Sequence, residues 1–564
     1  MTWDEALKTL TAEGQPYELI ETEALGRPVR VFANAPATLR DLYEEARSPL
    51  AFVNYQDEHL SFEDVWRRSG QLAAALVESC GVAKGDRVAI SMRNYPEWII
   101  AFNAATSIGA IAVAMNALWQ PDELAFALQD CRPKVLLADQ ERLERLAACD
   151  VPAGLQVIAV RANESLPVEA RRYEAVLSAY AAAAMPKPEL SPDDDAIMLY
   201  TSGSTGRPKG AVSTHRNIIS ALMSWELDAE AGILTGNAPP PEPDAGQPSA
   251  LLAIPLFHVS GLHFNLLASY RRRRRIICMY KWDAEAAVEI IAREQITLFN
   301  GPSAVTGDLI RVARDREADL TSLTVVGGGG ASRAPEQVRA IDQTFANAAP
   351  NTGWGMTETN AIGTGVAGPD YLSHPASSGR VSAVLDIRIV DEDGKVLPAT
   401  SRGELQIRGA SIMRGYWERP EANAETFVDG WLRTGDVAYV DQDGFVYIVD
   451  RIKDLVIRGG ENIGCGGVEA ALLEHPDVLE ASVYGVPDER LGEEVGATLY
   501  ARRPIPEREL RTFLGSRLAK FAVPRYVHVS TTPLPRIASG KILKRQLREE
   551  ALQRLEGPVA DRVL

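Results

Sequence analysis

Tyr200-Thr-Ser-Gly-Ser-Thr-Gly-Arg-Pro-Lys-Gly210 gathers serine and threonine hydroxyls, three glycines and one lysine into eleven residues. Such a segment suits a polyphosphate. Glycines let successive backbone N–H groups converge on one anion, the hydroxyls add donors, and Lys209 supplies a point charge. A polar turn without a ligand is the plainer reading, and a Walker A loop is the nearer rival. The rival fails on spacing, because it needs Gly-x-x-x-x-Gly-Lys-Ser/Thr, whereas Arg207 and Pro208 separate Gly206 from Lys209.

Outward from this loop come, in order, Pro255-Leu-Phe-His-Val-Ser-Gly261, Gly353-Trp-Gly-Met-Thr-Glu-Thr359 and Trp431-Leu-Arg-Thr-Gly-Asp436. Then follow Asp450-Arg-Ile-Lys-Asp-Leu-Val-Ile-Arg-Gly-Gly-Glu-Asn-Ile463 and Pro535-Arg-Ile-Ala-Ser-Gly-Lys-Ile-Leu543. Taken together, these strings resemble the signature motifs of the adenylate-forming superfamily: acyl-CoA synthetases, adenylation domains of peptide synthetases and firefly-type luciferases. The resemblance covers nearly the whole chain, and its ordered strings are far more specific than any one of them.

The resemblance implies a two-step reaction with ATP, Mg2+ and CoA. A carboxylate is a poor acyl donor, so it is first joined to AMP as a mixed anhydride, which a thiol then attacks. Carboxylate and triphosphate repel one another, and the remedy is electrostatic: magnesium, lysines and converging N–H groups.

Roles follow by resemblance, residue by residue. Thr201, Ser202, Gly203, Ser204, Thr205, Gly206 and Lys209 hold the phosphates, and Thr201 and Glu358 hold magnesium. Gly330 and Ala331 follow a glycine-rich strand end that lets the backbone approach a flat adenine. Trp354 stacks on the adenine, flanked by Gly355 and Met356, and Thr357 contacts the α-phosphate. Asp436 accepts hydrogen bonds from the ribose hydroxyls, Arg451 lies near ribose and phosphate, and Gly459 and Gly460 complete the nucleotide set. Lys541 bridges the carboxylate and the α-phosphate, and His258 lines the acyl pocket and the thiol's approach. By themselves the residues leave plainer readings open, with Glu358 a solvated turn residue, Trp354 and His258 core, and Lys541 surface charge.

An aspartate at the place of His258 generally marks adenylation domains for α-amino acids, so an α-amino acid is disfavoured. The chain stops soon after Lys541, so no carrier-protein domain is expected. Two other readings stay open: a stand-alone acyl-AMP ligase loading a separate carrier protein, and a catalytically silent nucleotide-binding protein.

Composition bounds the setting. A chain of 564 residues, 46% hydrophobic and 24% charged, is too long for one core and too apolar for disorder. A net charge of −17 argues against nucleic acid or an anionic membrane as partner. The expected partners are a small carboxylic acid, ATP and CoA, with a homodimer left open. Five cysteines without a Cys-x-x-Cys pair suggest neither a disulfide framework nor zinc. With no signal-peptide pattern at Met1-Thr-Trp-Asp-Glu-Ala, a cytoplasmic protein is expected. The apolar stretch Trp98 to Trp119 is broken by Asn103, Thr106, Ser107, Gly109 and Asn116, which predicts a buried helix and strand rather than a transmembrane segment.

The fold class is α/β and multidomain. The alternation of the helical pattern Phe62 to Glu78 with apolar runs such as Arg87–Met92 and Lys134–Ala138 predicts mostly parallel, helix-covered sheets. After about residue 380, short alternating strands and the turns Val390–Gly394 and Val440–Phe445 predict a small β-barrel-like unit. The expected division is an N-terminal body over 1–452 and a small mobile C-terminal α+β domain over 453–564 that carries the catalytic lysine. Two departures from the family stand out. The glycine-rich run Gly459 to Gly467 is expected to be unusually mobile, and Arg271 to Arg275 is read as a solvated surface run.

Overall fold

The computed structural model describes residues 1–201, 208–240, 246–330, 333–459 and 461–556. Two large sheets form the body. In the first, the strand Asp195–Thr201 lies parallel to Ile111–Ala114, which continues in parallel through Arg87–Ser91, Val135–Asp139 and Gln156–Val160. In the second, Ala349–Gly353, Val325–Gly329, Leu298–Asn300, Ser249–Leu252 and Arg275–Cys278 run in parallel side by side.

Local chemistry explains the covering helices. Ser61 caps Phe62–Glu78 by accepting from the Asp64 N–H, and Asp64 returns a bond to the Ser61 N–H. The helix Pro96–Ser107 starts with proline and is buried along its whole length. Gly109, at φ +75°, then turns the chain into the buried strand Ile111–Ala114. The stretch Trp98 to Trp119 is thus interior to the body, and among the described residues no helix is long and apolar enough to cross a membrane.

From Leu385 to Arg451 the pairing is antiparallel. Leu385–Val390, Gly403–Gly409, Trp431–Val440 and Val446–Arg451 form a curled meander. Beyond it a last sheet is built from Val456–Arg458, Glu461–Ile463, Val478–Asp488, Gly492–Ala501 and Tyr526–Ser530. These strands and the helices Cys465–Leu473 and Glu507–Gly515 bury a cluster drawn wholly from this part of the chain, including Val456, Val468, Val483 and Leu514.

Two expectations are corrected here. Of Gly459 to Gly467, the described residues lie in regular structure: Gly459, at φ +59°, follows Val456–Arg458, Glu461–Ile463 is a strand, and Cys465 opens a helix. The buried Cys465 donates its N–H to Asp450 Oδ2 at 2.5 Å and its thiol to the Asp454 carbonyl at 3.1 Å, which pins the run at its centre. Nor are Arg271 to Arg275 a solvated run. Arg271 Nε donates to Glu226 Oε1 at 2.6 Å, Arg275 Nη1 donates to Glu294 Oε2 at 2.9 Å, and burial lowers the Arg274 pKa to about 10. The pairing carboxylates arrive on the helices His215–Thr235 and Ala284–Glu294, remote enough in sequence that local composition does not reveal them.

Candidate active site

The phosphate-loop string begins and ends in two paired strands. Asp195–Thr201 pairs antiparallel with Lys209–Thr214, Thr201 stands opposite Lys209, and the Thr201 hydroxyl donates to the Lys209 carbonyl at 3.4 Å. Ser202, Gly203, Ser204, Thr205 and Gly206 lie outside the described residues, as do Ala331 and Gly460. Lys209 holds its ammonium 5.2 Å from the centre of the Tyr416 ring. The Tyr416 hydroxyl in turn donates to Glu358 Oε1 at 2.6 Å. Tyr416 was not singled out from the sequence, although Arg414-Gly-Tyr416 reaches this place because Tyr416 pairs with Ala211, next to the loop.

Glu358 is buried, at 6% exposure. It sits on a single 3-10 turn, Thr357–Thr359, that folds back over Gly355, where a Cβ would come within 2.4 Å of the Ala361 carbonyl group. Its Oε1 accepts the tyrosine hydrogen bond, and Oε2 remains to hold a cation. A buried carboxylate with one oxygen left over is a hard oxygen donor of the kind magnesium takes.

A second group surrounds the lysine. The turn Ile537 to Lys541 is closed by the Ile537 N–H donating to the Lys541 carbonyl at 2.8 Å and by Gly540 at φ +84°. The Lys541 side chain lies against Gly330, where a Cβ would sit 3.2 Å from Cε and 3.3 Å from Nζ. Burial, with Arg451 nearby and Asp436 opposing, lowers its pKa to about 8. Arg451 Nε lies 3.2 Å from Asp436 Oδ1, and the Trp354 indole N–H donates to Asp436 Oδ2 at 2.8 Å. Burial raises the Asp436 carboxyl, against the pull of Arg451 and the indole hydrogen bond. Each Asp436 oxygen keeps a further lone pair for a ribose hydroxyl. Trp354 is fixed from its other side by Gly363, where a Cβ would come within 2.5 Å of the ring.

His258 belongs to the same group. Burial and the Lys541 charge lower its pKa to about 3, and its buried Nε2 has no hydrogen-bond partner among the described residues. The imidazole is therefore neutral. One residue, Val259, separates it from a π-helix, Ser260–Leu267, whose tight entry requires Gly261: a Cβ there would come within 2.4 Å of the Pro255 carbonyl oxygen. Gly459 packs on Leu491 of the small domain and joins neither group.

Arg536 is a further residue the sequence reading quoted without a role. It donates to Asp308 of the body at 2.7 Å and also pairs with Glu480 of the last sheet, so it ties the lysine-bearing turn to both.

Comparison with known proteins agrees with this geometry. Residues 43–417 match the family model of AMP-binding enzymes, and residues 467–541 match the model of the AMP-binding enzyme C-terminal domain. The chain is 32% identical over 483 residues to a long-chain-fatty-acid–CoA ligase, FadD13, of Mycobacterium tuberculosis, covering 85% of this chain and 90% of that protein. It is 35% identical over 511 residues to a feruloyl-CoA synthase of Amycolatopsis sp., covering 88% and 95%. Among solved structures, O-succinylbenzoate coenzyme A synthetase from Bacillus subtilis, in complex with ATP and magnesium, is 27% identical with a TM-score of 0.73, covering 91% of this chain and 99% of that one. With its paired phosphate-loop strands, its buried Glu358 and a C-terminal lysine inserted beside Asp436, the chain belongs to the AMP-binding enzymes, the adenylate-forming superfamily.

Proposed function

We propose that this chain is an ATP- and magnesium-dependent carboxylate:CoA ligase that forms an acyl-AMP with release of pyrophosphate and then transfers the acyl group to CoA. The observation that carries the reading is Lys541, held inside the body against Gly330 with Arg451, Asp436 and His258 around it. A fatty or aryl acid is the substrate class, supported by the fatty-acyl and feruloyl relatives and by the neutral His258 in place of an acidic group.

Each residue then has a task. Lys541 brings one positive charge to the point where two anions meet and neutralises the charge that grows on the α-phosphate. Lys209 and the N–H groups of the loop hold the β- and γ-phosphates, and Asp436 with Arg451 fixes the ribose. Trp354 orients Asp436 and offers an aromatic face to the base. Magnesium, when bound, lowers phosphate charge, and Glu358 and Thr201 would hold it. His258, neutral, adds no charge beside the carboxylate that is activated.

The division of labour follows the chain. The body ends near residue 452, and the residues beyond it, with a core of their own, form the lid that carries Lys541. Five cysteines without a disulfide among them support a reducing, cytoplasmic setting. The test is to screen carboxylic acids of graded length and aromaticity for pyrophosphate release, with and without CoA. Pyrophosphate and thioester with at least one acid bear the reading out. Pyrophosphate with a thioester formed only on a carrier protein would favour the acyl-AMP ligase instead.

A further inference from the structure

The helix His215–Thr235 presents Ser224, Trp225 and Asp228 on one face, since residues three and four apart are neighbours. The Trp225 ring meets Phe264 edge-on at 5.1 Å, and Phe264 lies in the π-helix that follows His258, so this face borders the acyl side of the site. Asp228 looks at the strand Thr364–Ala367: a Cβ on Gly365 would lie 3.4 Å from its Oδ2. Gly365 in turn abuts Gly353, where a Cβ would be 3.8 Å from the Gly365 Cα. Gly353 pairs in register with Gly329, and the next residue, Gly330, touches Lys541. Three adjacent strands thus each place a bare glycine in one row, a floor without side chains running from Lys541 to Asp228. Two strand spacings make that floor about 10 Å long.

At its far end Asp228 is alone. Among the described residues no hydrogen bond or ion pair engages its carboxylate, although it keeps part of its surface open. Burial by itself pushes its pKa up to about 7. A carboxylate so enclosed is costly to leave without a partner.

We propose, resting on the ligase reading above, that Asp228 pairs with a positively charged nitrogen at the far end of the acyl substrate. The preferred acid then carries a carboxylate at one end, beside Lys541, and an ammonium at the other, across the glycine floor. The neutral His258 fits this placement, because it leaves the anion distal to the α-carbon.

Matched pairs test it: hexanoate against ω-aminohexanoate and octanoate against ω-aminooctanoate, each measured as kcat/KM for pyrophosphate release. Binding of each acid is measured in parallel by calorimetry with a non-hydrolysable ATP analogue. The wild type should favour the amino acid of at least one pair by about ten-fold or more, as a charge-assisted contact allows. Asp228→Leu should reverse that preference in both readouts, with Asp228→Asn between them. Equal or better use of the unsubstituted acid in both pairs overturns the proposal and leaves the ligase reading standing. So does an amino preference that survives Asp228→Leu. If no acid in these or the broader set yields pyrophosphate, the ligase reading fails and this inference fails with it.

Discussion

Removing the charge of Lys541 should cost acyl-AMP formation far more than thioester formation, and the structure sets the scale. Burial and Arg451 lower its pKa from 10.5 to about 8. That shift corresponds to about 3 kcal/mol held against the ammonium, which two arriving anions would relieve. Losing a donor of this kind at the reacting centre typically costs about 3 to 4 kcal/mol, or roughly 10²- to 10³-fold in rate. Lys541→Ala should therefore slow pyrophosphate release by about that factor, while thioester formation from supplied acyl-AMP stays near the wild-type rate.

The pH dependence has a fixed sign. The ammonium is the competent form, so kcat/KM for adenylation in the wild type should fall as pH rises through about 8, and Lys541→Ala should lose that alkaline limb. Stability runs the other way. The folded pKa lies below the unfolded one, so the penalty is fully present below about pH 8 and fades towards 10.5. Lys541→Met should accordingly raise the melting temperature of the ligand-free protein at pH 7, provided the lid stays docked. Equal losses in both half-reactions, or an unchanged alkaline limb in the alanine variant, would refute the assignment.

Arg536→Ala should loosen the lid, because Asp308 and Glu480 are left facing each other without their common cation; hydrogen exchange over 451–455 should rise and adenylation should fall, whereas unchanged exchange removes the latch. Tyr416→Phe should raise the magnesium requirement of pyrophosphate release by about ten-fold, since it frees the Glu358 carboxylate from the hydroxyl that orients it; an unchanged magnesium titration counts against that role. Arg271→Gln should destabilise the protein by about 2 kcal/mol in chemical denaturation, because the buried Glu226 loses its partner, and should leave the CoA requirement unaltered. A raised CoA requirement without loss of stability would show that Arg271 serves CoA rather than Glu226.

The local strings determined the family and much of the fold. Glycine, hydroxyl and lysine at fixed spacing describe phosphate chemistry wherever they occur, and the alternation of Phe62–Glu78 with short apolar runs is a direct print of helix and strand periods. The order of the motifs also placed Lys541, Asp436 and Glu358 on the list of site residues before their distances were known. What the tertiary structure decided depends on partners that sequence distance hides. Tyr416 reaches Glu358 through a strand pairing across 58 positions, and Trp354 reaches Asp436 across 82. Arg271 and Arg275 are paired because Glu226 and Glu294 come in on two other helices, and Cys465 is held because Asp450 takes its N–H. Asp228 is the sharpest case. In the sequence it is one acidic residue in a helix, and only the three glycine-bearing strands beside it, which bring no countercharge, leave its carboxylate without a partner among the described residues. Composition and periodicity report what each segment can do; burial and pairing between distant segments decide which of those capacities is used.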